Sequence, residues 1–205
     1  MNGLVWKDTV LLKNGLIYVA VFGVVFSVLF RESNVMGIVC PMLFSSLVAS
    51  SFAWDDQCGW NMYAVSAGVP RRRIVKSKFM SSAIFVTTGF VIGLVVSVAM
   101  PSLTGTETDL VSAVIVSVTG WVLSVIVASI SILVNYWTGS SIKAQYISIV
   151  VLMASIAFLV SATIVVSDLL GGNMLLVTAA LLVVAVLMLT GAYEISCARF
   201  EKRDL

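Results

Sequence analysis

Long unbroken apolar runs constrain this chain more than any other feature. Six can be drawn, at about 15–30, 35–54, 79–100, 110–135, 144–167 and 172–194, each near the ~20 residues an α-helix needs to cross about 30 Å of hydrocarbon at 1.5 Å per residue. Within them apolar residues follow one another instead of alternating with polar ones. Because lipid cannot satisfy backbone amides and carbonyls, the spans are expected to be helices and not barrel strands. Composition points the same way: 60% of residues are apolar, 11% are charged and the mean hydropathy is +1.10, whereas a soluble domain carries roughly a quarter charged residues. The expected fold class is an all-α integral membrane protein, with residues 1–205 forming a single transmembrane domain of six helices. Lys7 and Lys13 precede the short first run, as in a secretory signal, but the FRESN that follows offers no small-x-small cleavage site, so a retained span is expected.

Orientation follows from the basic residues. With six spans both termini share a side, and that side holds Lys7, Lys13, Arg71, Arg72, Arg73, Lys76, Lys78, Lys143, Arg199, Lys202 and Arg203, against Arg31 alone on the other. By the positive-inside rule the termini and the Asp55–Lys78 segment are expected in the cytoplasm. The outer loops are short. Cys40, Cys58 and Cys197 are expected to be reduced and unpaired.

Several chemistries are disfavoured. The charged residues fall in loops or at span ends, which weighs against an ion-coupled carrier, whose relay residues sit within the membrane. With no histidine and no acidic residue inside a span, an intramembrane enzyme lacks an evident base. The phosphate-loop pattern G-x-x-x-x-G-K-[ST] is absent, so nucleotide-driven work needs another polypeptide. No metal, no cofactor of its own and no nucleic-acid partner is expected.

Small residues recur at helical spacing. Gly89 and Gly93 form a G-x-x-x-G, and Gly120, Ser124 and Ala128 line one stripe of the fourth span. Such stripes let helices approach closely, either within one subunit or as a dimer face. Pro41 lies inside the second span and is expected to bend it.

The stretch DDQCGWNMYAVSAGVPRRRIVKSKFM, residues 55–80, crowds charge into this apolar chain. Asp55 or Asp56 can cap a helix start. From there Trp60, Tyr63, Ala64 and Ala67 share a face opposite Gln57 and Asn61, predicting a short amphipathic helix at the interface. Gly68 supplies a left-handed stop, and Pro70 suits the first turn of a helix carrying Arg71, Arg72, Arg73, Lys76 and Lys78. The segment 55–78 is thus expected to be a cytoplasmic helical elbow between spans two and three. Its cations either serve topology and anionic lipid, at ~1 kcal/mol each, or dock a partner.

The order D-D-x-x-G-W-x-x-Y-x-x-S-x-G-V-x-R-x-x-I-V-x-S-K-F resembles the loop between spans two and three of bacterial ABC-type permease subunits of the type-2 exporter superfamily. Asp55, Asp56, Trp60, Tyr63, Ser66, Val69, Arg71, Ile74, Val75, Lys78 and Phe79 carry the match; Gly68 stands where that family has proline, and Pro70 follows two residues later. The N-terminal LVWKDTVLLKNGL is similar through Lys7, Asp8 and Lys13, and the C-terminal SCARFEKRDL through Ser196, Phe200, Lys202, Arg203 and Asp204. The amphipathic stripe of that family's interfacial N-terminal helix is missing, since Leu4, Val5, Trp6, Val10, Leu11 and Leu12 spread nearly all round a helical wheel.

The resemblance implies a non-catalytic permease subunit of an ATP-driven exporter in a bacterial or archaeal cytoplasmic membrane. It would enclose a conduit as a homodimer or with a related permease, while a separate ATPase binds ATP and Mg. The elbow would be the coupling helix, with Asp55, Asp56, Trp60, Tyr63, Ser66, Pro70, Arg71, Arg72, Arg73, Lys76 and Lys78 as ATPase contacts. The alternatives are an ion-coupled secondary carrier and a non-transporting scaffold or sensor. An apolar interior suits an amphipathic peptide, a lipid-like molecule or a hydrophobic toxin as cargo.

Overall fold

In the computed structural model four of the six apolar runs form helices that extend past the hydrocarbon-length segments. The structure describes residues 2–11, 13, 15, 17, 21, 25, 35–104, 110–138, 147, 150–151, 153–155, 157, 161 and 173–202. Over these it shows α1 (Asn2–Leu11), α2 (Val35–Gln57), α3 (Trp60–Ser66), α4 (Arg71–Thr104), α5 (Leu110–Thr138) and α6 (Met174–Glu201), and no strand among the described residues. Four of these helices, α2, α4, α5 and α6, are long and apolar enough to cross a membrane. The expected spans at 15–30 and 144–167 lie largely outside the described residues.

The extensions correct the expected boundaries. α2 continues through Asp55 and Asp56 to Gln57, so neither aspartate caps a helix start. The basic run Arg71–Lys78 belongs to the same helix as the third span. Hydropathy marks where a helix meets hydrocarbon; a charged residue at the end of a span is still a competent helix former, so at the elbow α2 runs on to the Cys58–Gly59 turn and α4 begins directly after Pro70.

α2 is the hub, packed on α4 and α5, and α5 in turn packs on α6. Small residues set these approaches. A Cβ on Gly120 would stand 2.5 Å from the Ile38 Cα, and one on Gly89 would stand 2.8 Å from the Phe44 Cβ. Gly93 lies against the Met36 carbonyl, Cys40 and Pro41, while the Ser124 hydroxyl donates to its own helix at the Gly120 carbonyl, 2.7 Å away. The five small residues of the expected stripes, Gly89, Gly93, Gly120, Ser124 and Ala128, are all buried within the one chain, as close-packed membrane helices require. Pro41 is part of the same contact, inside a helix that runs unbroken through it.

One end of the bundle is filled by Phe44, Val48, Phe52, Ile74, Val75, Phe85, Ile132 and Phe200, all buried. Phe52 meets Tyr136 edge-on with centroids 5.2 Å apart, and Tyr136 meets Phe200 at 5.2 Å. Span hydroxyls mostly turn back on their own helix, as Ser45 does to the Met42 carbonyl and Ser51 to that of Val48. This removes the cost of a polar group in hydrocarbon. The Thr119 and Thr178 hydroxyls, 2.7 Å apart, join α5 to α6.

The crossings predict opposite outcomes for two glycines. Gly120→Ala should destabilise the protein by about 1–3 kcal/mol, since the new methyl meets backbone that cannot give way. Gly191→Ala meets nothing within 4 Å and should be neutral, or stabilising by up to about 1 kcal/mol through helix propensity. Thermal unfolding of both variants in detergent checks the pair.

Candidate functional site

The elbow is built from two left-handed glycines and a proline. After Gln57 the chain turns through Cys58 and Gly59, whose φ of 61° is the left-handed value that a side chain resists. Cys58 N donates to the Trp54 carbonyl at 3.1 Å, and the Gly59 carbonyl accepts from Tyr63 N at 3.1 Å. α3 then ends in a complete Schellman motif around Gly68, at φ 79°: Gly68 N donates to the Val65 carbonyl and Val69 N to the Ala64 carbonyl, both at 3.0 Å. Pro70, with no N–H to lose, presents its carbonyl to Arg73 N at 2.8 Å and Ile74 N at 3.3 Å, which opens α4. The left-handed stop at Gly68 is as expected. Gly59 was not anticipated, although its place just before Trp60 was the available signal.

The face assignment of α3 changes. Ala64 is buried and Trp60 half-buried against the core, while Tyr63, 64% exposed, and Ala67 point outward with Met62. The inward face is Trp60–Ala64, not the whole of Trp60, Tyr63, Ala64 and Ala67. A seven-residue helix can turn its aromatics either way, and here the Trp60 ring is claimed by a cation beneath it.

That cation is Lys7, whose Nζ lies 4.4 Å from the Trp60 ring centroid and donates to Asp55 Oδ1. Around it a four-charge cluster closes. Lys78 Nζ donates to Asp8 Oδ1 at 3.0 Å and to Ser51 Oγ at 3.2 Å, and lies 2.6 Å from Asp55 Oδ2. The last approach is off the line of a hydrogen bond and acts as a charge contact. Ser81 Oγ donates to Asp8 Oδ2 at 3.1 Å, Lys7 stands 3.3 Å from Asp8 Oδ1, and the Phe52 ring lies 5.2 Å from Lys78 Nζ.

The side chains of Asp8, Asp55 and Lys78 are 2–3% exposed, and that of Lys7 is 22% exposed. Two positive and two negative charges cancel, and the Ser51 and Ser81 hydroxyls add hydrogen bonds to Lys78 and Asp8. Under those conditions alone is burial of such ions tolerable. The four charges lie at the span ends, where the charged residues were expected, but paired and buried instead of solvated. The α1 residue turned inward is Asp8, while Trp6 is 69% exposed; α1 is anchored by charge, which explains why no apolar stripe is seen on its wheel.

The far side of the elbow is tied to α6. Arg71 Nη1 donates to the Phe200 and Glu201 carbonyls at 3.1 and 2.6 Å, satisfying acceptors that a helix end leaves open. Arg72 Nε donates to Glu201 Oε1 at 2.7 Å on the exposed surface, a pair worth little on its own. Arg199 stacks 3.9 Å over the Trp137 ring.

The residues expected at the site thus divide. Asp55 and Lys78 are buried inside the chain and Arg71 is engaged at α6, while Tyr63, Ser66, Pro70, Arg72, Arg73 and Lys76 are exposed and Asp56 and Trp60 are half-buried. Lys7, Asp8, Ser51, Ser81 and Glu201 join the site unpredicted. The three motif-bearing stretches, around Lys7–Asp8, the elbow and Ser196–Phe200, meet at one end of the bundle. Among the described residues no grouping of His, Cys, Asp and Glu is suited to a metal.

Apolar helices of spanning length, closed at one end by a charged helical elbow, define a multi-pass helical membrane protein. The chain belongs to the ABC-2 family of transporter proteins, whose family model matches residues 3–199. It is a type-2 ABC permease subunit, a membrane transport component. The curated proteins and the solved structures give no match.

The cluster makes an ordered prediction. Lys78→Met, which strands Asp8 and Asp55 in a buried site, should cost about 3–5 kcal/mol. Lys7→Met should cost less, since its ammonium is partly solvated and Lys78 still faces both carboxylates. Unfolding temperatures in nanodiscs read the order; equal losses would show that the cluster does not bear the load assigned to it.

Proposed function

We propose that the chain is the conduit-forming half of an ATP-driven exporter and that its elbow is the coupling helix for a separate ATPase. The observation that carries this reading is the elbow's division of surfaces. Its base is fixed by buried charges and by Arg71, while Met62 at 59% and Tyr63 at 64% exposure project outward from α3, and Arg72, Arg73 and Lys76 are exposed on the first turns of α4. An exposed aromatic and methionine on a short helix, with exposed arginines on the helix that follows, is the composition of a protein-binding surface. A rigidly based lever with such a tip can pass a displacement into α2 and α4 together, because α2 enters the elbow and α4 leaves it.

On this reading the chain spans a bacterial or archaeal cytoplasmic membrane six times with both termini inside, and it works as a homodimer or with a related permease. ATP and Mg are held by the ATPase. The exposed tip, more than Arg71 or Lys78, carries the partner contacts.

The buried pairing of charges at the span ends also leaves one second reading, an ion-coupled carrier, whose relay residues are charges held within the protein. A carrier transports when reconstituted alone and responds to an ionophore; an exporter subunit requires its ATPase and ATP.

Tyr63→Ala should weaken retention of the ATPase by about 1–3 kcal/mol, as removal of an interface aromatic does, and leave membrane insertion intact. Arg71→Lys should act differently, loosening the α6 end through loss of its planar contact with two carbonyls. Co-purification of the ATPase with each variant is the measurement. Undiminished retention by Tyr63→Ala and by Met62→Ala together would overturn the coupling assignment.

A further inference from the structure

The outward side of α4 carries two grooves that share a ridge. One, of about 280 Å³, lies between α4, α5 and α6, where Ala83 and Thr87 face Val125, Leu182, Ala185 and Leu189. The other, of about 500 Å³, runs along α4 past Ile84, Thr88 and Val91, and Ala83 and Thr87 line it too. Ala83, Ile84, Thr87, Thr88 and Val91 are exposed, as are Leu182 and Leu189. Both grooves therefore open on the outside of the bundle. An apolar cavity of about 150 Å³ already holds a benzene ring, so each groove has room for a length of hydrocarbon chain.

Their depth fits chains from the leaflet at the elbow end. The apolar run of α4 starts at residue 79, which puts Ala83 about 6 Å and Thr87 about 12 Å inside hydrocarbon whose half-thickness is about 15 Å. On α6 the run ends at residue 194, and Leu189 lies about 7 Å inside it. Both helices thus set the grooves within one leaflet.

A cation stands over the ridge. Lys76 is exposed and lies three residues ahead of the apolar run, about 5 Å outside the hydrocarbon and in the headgroup layer. At about 100° per residue it falls between Ala83 and Thr87 on the helix surface, within about 20° of each. Side chains tilt toward the N-terminus of their helix, so Lys76 reaches away from the hydrocarbon and toward the phosphates. Its charge is uncompensated. Asp8 and Asp55 are neutralised by Lys7 and Lys78, Glu201 is held by Arg72, and Lys76 forms no ion pair among the described residues.

We propose that α4 seats one anionic diacyl phospholipid of the leaflet at the elbow end, its phosphate on Lys76 and its two acyl chains in the grooves on either side of Ala83 and Thr87. A cation over a ridge flanked by two apolar grooves is the complement of an anionic headgroup that carries two chains. The seat rests on the membrane assignment alone. The tip of α3 and the arginines of α4 keep the role proposed above, and the test, run without an ATPase, leaves that reading untouched.

The full chain is purified in an uncharged detergent and given two probes, a phosphatidylglycerol and the phosphatidylcholine with the same two chains. Native mass spectrometry of the lipid-bound species gives the relative affinity. The wild type should hold the phosphatidylglycerol about fivefold more tightly, the effect of one basic contact near a membrane surface. Lys76→Gln should remove that preference and leave phosphatidylcholine binding as it was. Lys202→Gln, an equal loss of charge at the end of α6, should leave the preference in place. Ala83→Leu should weaken both lipids severalfold by narrowing both grooves, with Thr87→Leu as a second variant should the first fold poorly. The proposal is overturned by equal affinities in the wild type, by a preference that survives Lys76→Gln or falls as far in Lys202→Gln, or by normal binding of both lipids to Ala83→Leu and Thr87→Leu.

Discussion

Everything at the elbow end of this protein depends on four charges that cannot be separated. Asp8, Asp55 and Lys78 are withdrawn from solvent and Lys7 is partly so, and each buried ion is tolerated there because an opposite charge faces it, an unpaired one in such a site costing several kcal/mol. The requirement is mutual, and it acts across the chain: 48 residues separate Lys7 from Asp55, and 70 separate Asp8 from Lys78. Helices that meet hydrocarbon on their outer faces have little hydrophobic drive to associate with one another. Small-residue crossings bring α2, α4 and α5 together; charge pairing then selects the one register in which α1 can join them.

That register positions the elbow. Asp55 sits two residues before the end of α2, and Lys78 sits two turns into α4, so one contact spans both limbs of the turn that carries α3. Arg71 adds the end of α6. The elbow is therefore braced from beneath by the cluster and from the side by α6. Its tip, Met62 and Tyr63, projects away from that bracing; on the coupling reading proposed above, a push at Tyr63 would reach several helices at once.

Much of this was legible in the sequence, and what was not has a common cause. Four of the six expected spans are seen as helices of spanning length and were legible because hydrocarbon imposes a length, and the Gly68 turn because a left-handed residue followed closely by proline admits few alternatives. The resemblance at Lys7–Asp8, Asp55–Lys78 and Ser196–Phe200 pointed to the ABC-2 family, as the family match bears out. What failed was pairing. Asp55 or Asp56 was read as a helix cap and α1 as lacking an apolar stripe, because a single sequence does not say that a lysine near position 7 answers an aspartate near 55. The glycines show the same limit. The spacing of Gly89, Gly93 and Gly120 announces close contact, whereas their partners Phe44, Met36 and Ile38 follow only from the fold.

The central claim is that charge pairing, and not apolar packing, fixes the N-terminal helix to the elbow. Spin labels on cysteines placed at exposed Trp6 and Met62, in a background with Cys40, Cys58 and Cys197 replaced, report the α1-to-elbow distance directly. The account predicts a single narrow distance distribution when the cluster is intact. In the double variant Lys7→Met, Asp8→Asn, which leaves the Asp55–Lys78 pair to hold the elbow's limbs together, the distribution should become broad. A distribution as narrow in the double variant as in the parent would contradict the account.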